Sequence, residues 1–147
     1  MIKRKKINHN INELLPHLID RLKKEKDIIF AYIFGSYGKG KITPLSDVDI
    51  AVYLDTKGKI WERKLELLSI IIDILQTDEI NFIILNETTP SLVCSILDTG
   101  KLLFSKDEIK RISFFVKNLK EYLDLEYHLS KIWKAMKNRI KGGQFGF

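Results

Sequence analysis

The stretch from Phe34 to Val52 constrains the fold of this chain more than any other. The continuous apolar run from Ile28 to Phe34 predicts a strand buried on both faces, with helices on both sides of its sheet. Ten residues rich in Gly, Lys and turn formers lie between Ser36 and the first of two aspartates. Ser46 to Leu54 then predicts a second strand.

The second strand carries two acids close to its start. Asp47 and Asp49 are two residues apart, so on a strand their carboxylates leave the same face about 6.5 Å apart. That separation suits two Mg²⁺ ions about 3.5–4 Å apart, the geometry of in-line displacement at phosphorus. Two uncompensated carboxylates would be costly on an inner strand, which favours a metal site. Period-two alternation divides the strand between two faces: Asp47, Asp49, Ala51 and Tyr53, and opposite them Val48, Ile50, Val52 and Leu54.

The turn after the first strand predicts a phosphate site. Gly35 lets the backbone approach an anion closely. Ser36 offers a hydroxyl at the start of a short helix, where free N–H groups face a phosphate. Lys39 and Lys41 add positive charge. Since Mg²⁺ prefers carboxylates together with phosphate oxygens, the turn and the two acids together indicate one site.

A P-loop is the main rival interpretation of the same residues. Gly35 to Lys41 follows a strand and matches that pattern through its lysine. The next residue is Ile42, where a P-loop needs a Ser or Thr hydroxyl for magnesium. Pro44 would also interrupt the helix that should follow. The sequence therefore disfavours a P-loop.

The rest of the chain predicts helices and strands around this pair of strands. Pro16 lies inside the first helix, which is expected to start near Asn12 or to bend at the proline. The helix from Trp61 is expected to have a wide apolar face, marked by Trp61, Leu65, Leu68, Ile72 and Leu75 and widened by Leu67, Ile70, Ile71 and Ile74. The predicted elements are a helix over residues 10–26, a helix from Trp61 to about residue 76, a strand from Ile80 to Leu85, a helix that starts at Thr89-Pro90 and ends at Gly100, and a strand from Lys101 to Phe104.

The last helix is expected to open at Ser105 and Glu108, which have capping-box spacing, and to end at Gly142. One straight helix over this span would measure about 54 Å, whereas a domain of this size is about 35–40 Å across. The helix therefore either breaks or projects, and a phase shift in its apolar positions favours a break near Asp124. Its second half, with Lys131 to Lys141 around Trp133, is the best candidate for a docking face.

Composition limits the classes of function. The 147 residues carry a net charge of +6, which makes an anionic partner plausible. Cys94 is the single cysteine; it lies in an apolar run and predicts a core thiol in a reducing compartment. No apolar run approaches the length of about 20 residues that crosses a bilayer, and no apolar segment follows the basic N-terminus as in a signal peptide. A soluble, cytoplasmic protein is expected.

Gly35-Ser36, a ten-residue spacer and Asp47-x-Asp49 form a pattern similar to the signature of the DNA polymerase β-like nucleotidyltransferases. The resemblance extends over roughly residues 28–104, where the short chain looks like the minimal nucleotidyltransferases. This group includes the MntA-type antitoxins that are paired with HEPN-domain RNase toxins.

The resemblance implies an α+β, polymerase β palm-like fold: a mixed sheet of about four strands flanked by helices, with a C-terminal helical segment. Residues 1–104 would form the nucleotidyltransferase core, and residues 105–147 would pack on the core or on a partner. The implied activity is Mg²⁺-dependent transfer of AMP from ATP to a hydroxyl, a tyrosine of a HEPN toxin in the antitoxin group. Gly35, Ser36, Lys39 and Lys41 would then bind the nucleotide, and Asp47 and Asp49 would hold two Mg²⁺ ions.

One position departs from the family pattern. A third carboxylate usually stands on the later strand, and Asn81 occupies that place here. An amide oxygen can ligate a metal, but it cannot serve as a base toward the incoming hydroxyl. General-base catalysis is typically worth about 10²–10⁴-fold in rate. Two alternatives therefore stay open: an antitoxin with a weak or inactive site that acts by binding its partner, and a nucleic-acid-binding module supported only by the positive charge.

Overall fold

The computed structural model describes residues 10–39 and 47–142, without the side chain of Lys39. Lys41, Ser46 and the rest of the segment between these ranges lie outside the described residues. In chain order the described elements are α1 (Ile11–Lys23), β1 (Ile28–Phe34), α2 (Gly35–Lys39), β2 (Val48–Leu54), α3 (Ile60–Leu75), β3 (Ile80–Ile84), a 3-10 turn (Leu85–Glu87), α4 (Pro90–Thr99), β4 (Lys101–Ser105) and α5 (Glu108–Lys141).

The four strands form one mixed sheet in the order β3-β2-β1-β4. β1 pairs antiparallel with both β2 and β4, and β2 pairs parallel with β3. β1 and β2 are therefore the two inner strands, as their apolar runs predict. The expected α+β fold with a mixed four-stranded sheet is confirmed.

One face of the sheet packs against α1 and α3. Its residues alternate along the inner strands, so that every second side chain of β2 enters the same core. Leu18 and Leu22 of α1, and Leu67 and Ile71 of α3, are fully buried against it. The strand residues of this core include Ala31, Ile33, Val48, Ile50, Val52 and Leu54.

The opposite face is covered by α4 and the first half of α5. Phe30 and Tyr53 stack at 5.1 Å between ring centroids, and Phe114 of α5 lies 4.8 Å from Tyr53. Val93 and Ile96 of α4 complete this second core. Because helices lie on both faces, β1 can be apolar along its whole length, as predicted.

Two helix starts follow local sequence signals. The side chain of Asn10 accepts a hydrogen bond from the backbone of Asn12, and α1 then continues through Pro16 without a new start. The hydroxyl of Thr89 caps α4, and Pro90 occupies its first position as predicted. Cys94 lies buried in this helix, which confirms the expected core thiol, and burial raises the pKa of that thiol.

The wide apolar face predicted for α3 is confirmed only in part. Trp61 and Leu65 are 67% and 49% exposed, whereas Leu67, Ile71 and Leu75 are fully buried. α3 carries apolar residues around most of its circumference, so more than one stripe has helical spacing. Packing on the sheet selects the stripe through Leu67.

Two expectations for α5 are wrong. Asp107, not Ser105, caps the helix, because its carboxylate accepts from the backbone of Lys110 while Ser105 still belongs to β4. The expected break near Asp124 is absent, since α5 is one helix of 34 residues and about 51 Å long. The helix therefore projects beyond the body, which is the sheet with the helices packed on it. Every residue from Leu123 to Gly142 is exposed.

Candidate active site

The candidate site begins where β1 ends. Phe34 is the last residue of the strand, and Gly35 turns the chain directly into α2 with a φ of +63°. Glycine adopts this left-handed conformation without the steric cost that a side chain brings. Ser36 follows in the first turn of α2 and is partly exposed. The Gly-Ser pair thus forms a sharp strand-to-helix turn.

Gly35 also lies against the second aspartate of the motif. A Cβ added to Gly35 would overlap Oδ2 of Asp49 and would lie 3.1 Å from its Cγ. The positive φ and the missing side chain of Gly35 therefore both allow the turn to lie directly against the Asp49 carboxylate. The sequence spacing alone predicts a shared site but not this contact.

The two aspartates stand at the start of β2. Asp49 is the second residue of the strand, and its Cα partner on β1 is Phe34. Asp47 immediately precedes the strand, and its Oδ1 is buried. The backbone N–H of Val48 donates to the carbonyl of Glu79 at 3.0 Å, which ties this end of β2 to the start of β3.

Asn81 lies beside Asp49 on the neighbouring strand. β2 and β3 run parallel, and the Cα partner of Asp49 is Asn81. Residues paired in this way project from the same face of a sheet, so the amide and the carboxylate leave that face together. Asn81 is exposed at the edge of the sheet, where its amide oxygen is open to a ligand.

Packing beneath α2 depends on two further glycines. A Cβ on Gly38 would lie 3.0 Å from the carbonyl oxygen of Ile33 and 3.4 Å from Cα of Gly100. Tyr37, which precedes Gly38 in the chain, is buried in the core that contains α1 and α3, and burial raises the pKa of its hydroxyl. Sequence reasoning treated Gly38 only as a turn former and Gly100 only as a helix end. Their contact, which seats the turn against the end of α4, had no local signal.

The donor set of this site consists of oxygen atoms. Asp47, Asp49 and Asn81 contribute two carboxylates and an amide, which are the ligand types that Mg²⁺ prefers. Within residues 10–39 and 47–142 no group of three or more His, Cys, Asp or Glu is placed to hold a metal ion. A site of two acids and one amide is not a group of that kind, and Asp49 is partly exposed beside the Gly35 turn. The residues present therefore fit Mg²⁺.

The predicted basic residues of the phosphate turn are only partly placed. The backbone of Lys39 ends α2, and Lys41 belongs to the segment outside the described residues. Of the predicted site residues, the structure thus brings together Gly35, Asp49 and Asn81, with Ser36 and Asp47 adjacent in the chain.

Solved structures with this fold include several toxin–antitoxin complexes. A chain of a toxin–antitoxin with AMP-PNP has 23% sequence identity and a TM-score of 0.66, over 88% of this chain and 99% of that one. A chain from a complex of tri-AMPylated Shewanella oneidensis HEPN toxin with MNT antitoxin has 21% identity and a TM-score of 0.65, over 87% and 99%. A chain from a mutant MntA toxin–antitoxin complex has 25% identity and a TM-score of 0.63, over 88% and 99%.

Sequence comparison gives a second, independent result. No curated protein matches the chain significantly. Separately, none of the helices in the described ranges is long and apolar enough to cross a membrane. The family model of polymerase beta nucleotidyltransferases, however, matches residues 17–109. This range holds the whole sheet, the Gly-Ser turn and both aspartates. The chain is a member of the polymerase β nucleotidyltransferase family.

Proposed function

We propose that this protein transfers AMP from ATP to a hydroxyl group of a partner protein, and that the partner is a HEPN-domain toxin. The observation that carries the proposal is the position of Asp49, which lies between the Gly35 turn and Asn81 on adjacent strands. A carboxylate beside a phosphate-binding turn is the arrangement that nucleotidyl transfer needs.

Each residue of the site has a distinct role in this proposal. Ser36 and the backbone N–H groups of its turn bind the β- and γ-phosphates, with Lys39 and Lys41 adding positive charge. Asp47 and Asp49 hold two Mg²⁺ ions, and Asn81 adds a neutral oxygen ligand. When bound, Mg²⁺ neutralises the phosphate charge and stabilises the attacking and leaving oxygens. Gly35 keeps the turn close enough for the phosphates to reach Asp49.

The reaction is an in-line displacement. The acceptor hydroxyl oxygen forms a bond to the α-phosphorus while the bond from that phosphorus to the bridging oxygen breaks, and pyrophosphate leaves. The hydroxyl proton must pass to a base. Asn81 cannot accept it, because an amide is not a base at neutral pH. Because Asp47 and Asp49 are assigned to the metal ions, the proton goes to a carboxylate or histidine of the partner, or to water.

The proposed partner rests on the structural neighbours. One of them is a tri-AMPylated HEPN toxin in complex with an MNT antitoxin, and another toxin–antitoxin holds AMP-PNP. We extend these activities to this chain as an antitoxin that inactivates its toxin by AMPylation in the cytoplasm. In the same proposal residues 1–104 form the catalytic core, and residues 105–147 form the segment that contacts other chains.

The experiment combines the protein, ATP, Mg²⁺ and the product of the neighbouring gene, and measures the intact mass of that product. The wild type should add the mass of one or more AMP groups, and Asp47→Asn should not. Asp73→Asn is the matched control, since Asp73 is exposed on α3, which packs on the face of the sheet opposite to Asp49. An unmodified partner, or equal modification by wild type and Asp47→Asn, would refute the proposal.

A second function is favoured by Asn81, which stands where the family pattern has a third carboxylate. The protein could neutralise its toxin by binding alone, with a site that holds nucleotide without turnover. Growth rescue in cells that express the toxin separates the two functions. Rescue that survives Asp47→Asn together with Asp49→Asn supports binding alone, whereas lost rescue with an intact complex supports transfer.

A further inference from the structure

The second half of α5 presents an apolar stripe that no described residue covers. Leu125, Leu129 and Ile132 are 51%, 52% and 56% exposed, and Met136 is 49% exposed. They are spaced at intervals of four, three and four residues, so they lie on one face of the helix. Contiguous apolar surface of this kind is uncommon on proteins that work as monomers.

This stripe continues the face by which α5 packs on the body. Asn118, the one buried residue among those of α5, and partly buried Tyr122 precede Leu125 by seven and three residues. Phe114 and Arg111, on the same face, reach the second core and the hydroxyl of Tyr32. The stripe therefore continues a helix-packing face into the half of α5 that is exposed.

Charge is distributed unevenly along the exposed half of α5. Acidic residues lie toward its start, at Glu121, Asp124 and Glu126. Basic residues lie toward its end, at Lys131, Lys134, Lys137, Arg139 and Lys141. An antiparallel copy of the same helix would set the acidic part of each against the basic part of the other, whereas a parallel copy would set like charges together.

We propose that a second copy of this chain covers the stripe, with the two α5 helices antiparallel. In this register Leu125 meets Met136 of the second copy, and Leu129 meets Ile132 of the second copy. Each of these layers occurs twice because the pairing is symmetric. The dimer buries the stripe and places the two sheets at opposite ends of the helix pair. The proposal is independent of nucleotide transfer.

The first test measures the mass of the full-length protein in solution by sedimentation and light scattering over a concentration series. The wild type should form a dimer, and Leu129→Glu with Ile132→Glu should raise the dimer dissociation constant by more than about tenfold. The matched control is Ile112→Glu with Val116→Glu, on the outward face of the first half of α5. Ile112 is 53% exposed and Val116 is 42% exposed. It should dimerise like the wild type, with circular dichroism showing that both variants fold.

A charge-reversal series tests the antiparallel direction. Asp124→Lys with Glu126→Lys makes the start of the exposed half more basic, and Lys137→Glu with Arg139→Glu makes its end more acidic. Each pair alone should weaken the dimer, and the two pairs combined should restore it. In a parallel dimer like charges already face each other, so equal affinity of all four proteins would overturn the antiparallel arrangement.

Two other outcomes would overturn the proposal as a whole. One is a wild-type protein that stays monomeric at all concentrations. The other is a monomer whose stripe binds the product of the neighbouring gene, with that binding lost in the Leu129→Glu and Ile132→Glu variant. The stripe would then be a surface for the partner protein and not for a second copy.

Discussion

Gly35 and Asp49 approach so closely that a side chain on Gly35 would occupy the space of the Asp49 carboxylate. Gly35 follows β1 with a φ of +63°, and Asp49 lies on the adjacent strand β2, where its Cα partner is Phe34. A positive φ and a steric limit thus coincide at one residue. Either alone would favour glycine, and together they make the turn and the carboxylate a single structural unit.

Gly35→Ala should destabilise the protein and reduce transfer. The left-handed backbone alone costs a residue with a Cβ about 1–2 kcal/mol, and the new methyl group must push Asp49 aside. Thermal unfolding and the rate of AMP transfer measure the two effects. Gly58→Ala is the matched control, because its Cβ would lie 3.6 Å from Oγ1 of Thr56 in ordinary contact. Equal behaviour of the two variants would show that the approach of Gly35 to Asp49 is not tight.

Asn81→Asp should increase the rate of AMP transfer. It places a carboxylate beside Asp49 on the adjacent strand, and a carboxylate can accept the proton of the attacking hydroxyl, which is typically worth about 10²–10⁴-fold. Single-turnover rates on the partner protein measure the effect. Asn81→Ala, which removes the oxygen ligand, should lower the rate. An Asp variant no faster than the wild type would assign the proton transfer to the partner or to water.

Arg63→Met should lower the free energy of unfolding by about 2–3 kcal/mol. Arg63 of α3 donates to both carboxylate oxygens of Asp27, at 2.7 and 2.6 Å, and to Glu25 at 3.0 Å. It therefore anchors α3 to the segment between α1 and β1. Urea unfolding measures the change, and Lys57→Met in the exposed loop before α3 is the control with an expected effect below about 0.5 kcal/mol. A loss no larger than that of the control would mean that the cluster is not stabilising.

The same cluster should make stability depend on pH. Hydrogen bonds from Arg63 hold the pKa of Asp27 below its ordinary value. Burial by itself would raise the pKa of Glu25, but hydrogen bonds from Arg63 and Arg21 outweigh burial, so the pKa of Glu25 is lowered as well. A lowered pKa means that the ionised form stabilises the fold, so this contribution is complete above the ordinary carboxyl pKa of about 4 and is lost as pH falls below it. The stability difference between wild type and Arg63→Met should therefore be constant from pH 5 to 7 and shrink toward pH 3. A difference that persists at low pH would contradict this account.

Asn86→Ala should weaken the link between β2 and the 3-10 turn after β3. The Asn86 side chain accepts from the N–H of Leu54 at 2.9 Å and donates to its carbonyl at 2.7 Å. Loss of both bonds should cost about 1–3 kcal/mol. Asn81→Ala is the stability control, because Asn81 is exposed on the edge strand. Similar unfolding curves for the two variants would show that the two hydrogen bonds between Asn86 and Leu54 contribute little to stability.

Local sequence patterns were sufficient for most element positions. The apolar run from Ile28 to Phe34 predicts β1 as observed, because a strand buried on both faces needs apolar residues at every position. Thr89 and Pro90 predict the start of α4, because capping depends on adjacent residues. The alternation along β2 assigns its residues to the correct faces for the same reason.

Helix faces were harder to predict. α3 and α5 each carry apolar residues on more than one stripe, and the spacing is helical in every stripe. The prediction therefore gave α3 a wide apolar face that includes Trp61 and Leu65, whereas the core uses only the part of it through Leu67 and Ile71. In α5 the change from the stripe through Ile112 and Val116 to the stripe through Leu125 and Leu129 was interpreted as a break. Only the position of the neighbouring elements distinguishes these cases.

The sequence by itself determined the residues of the candidate site: a Gly-Ser turn and two aspartates at a fixed spacing, chemistry that depends on residue type and short-range order. Only the tertiary structure decided that Gly35 contacts Asp49, that Asn81 lies beside it, and that α5 extends past the body. These relationships join residues far apart in the chain. Strand order, register and packing against α4 create them, and no local pattern encodes such long-range pairing.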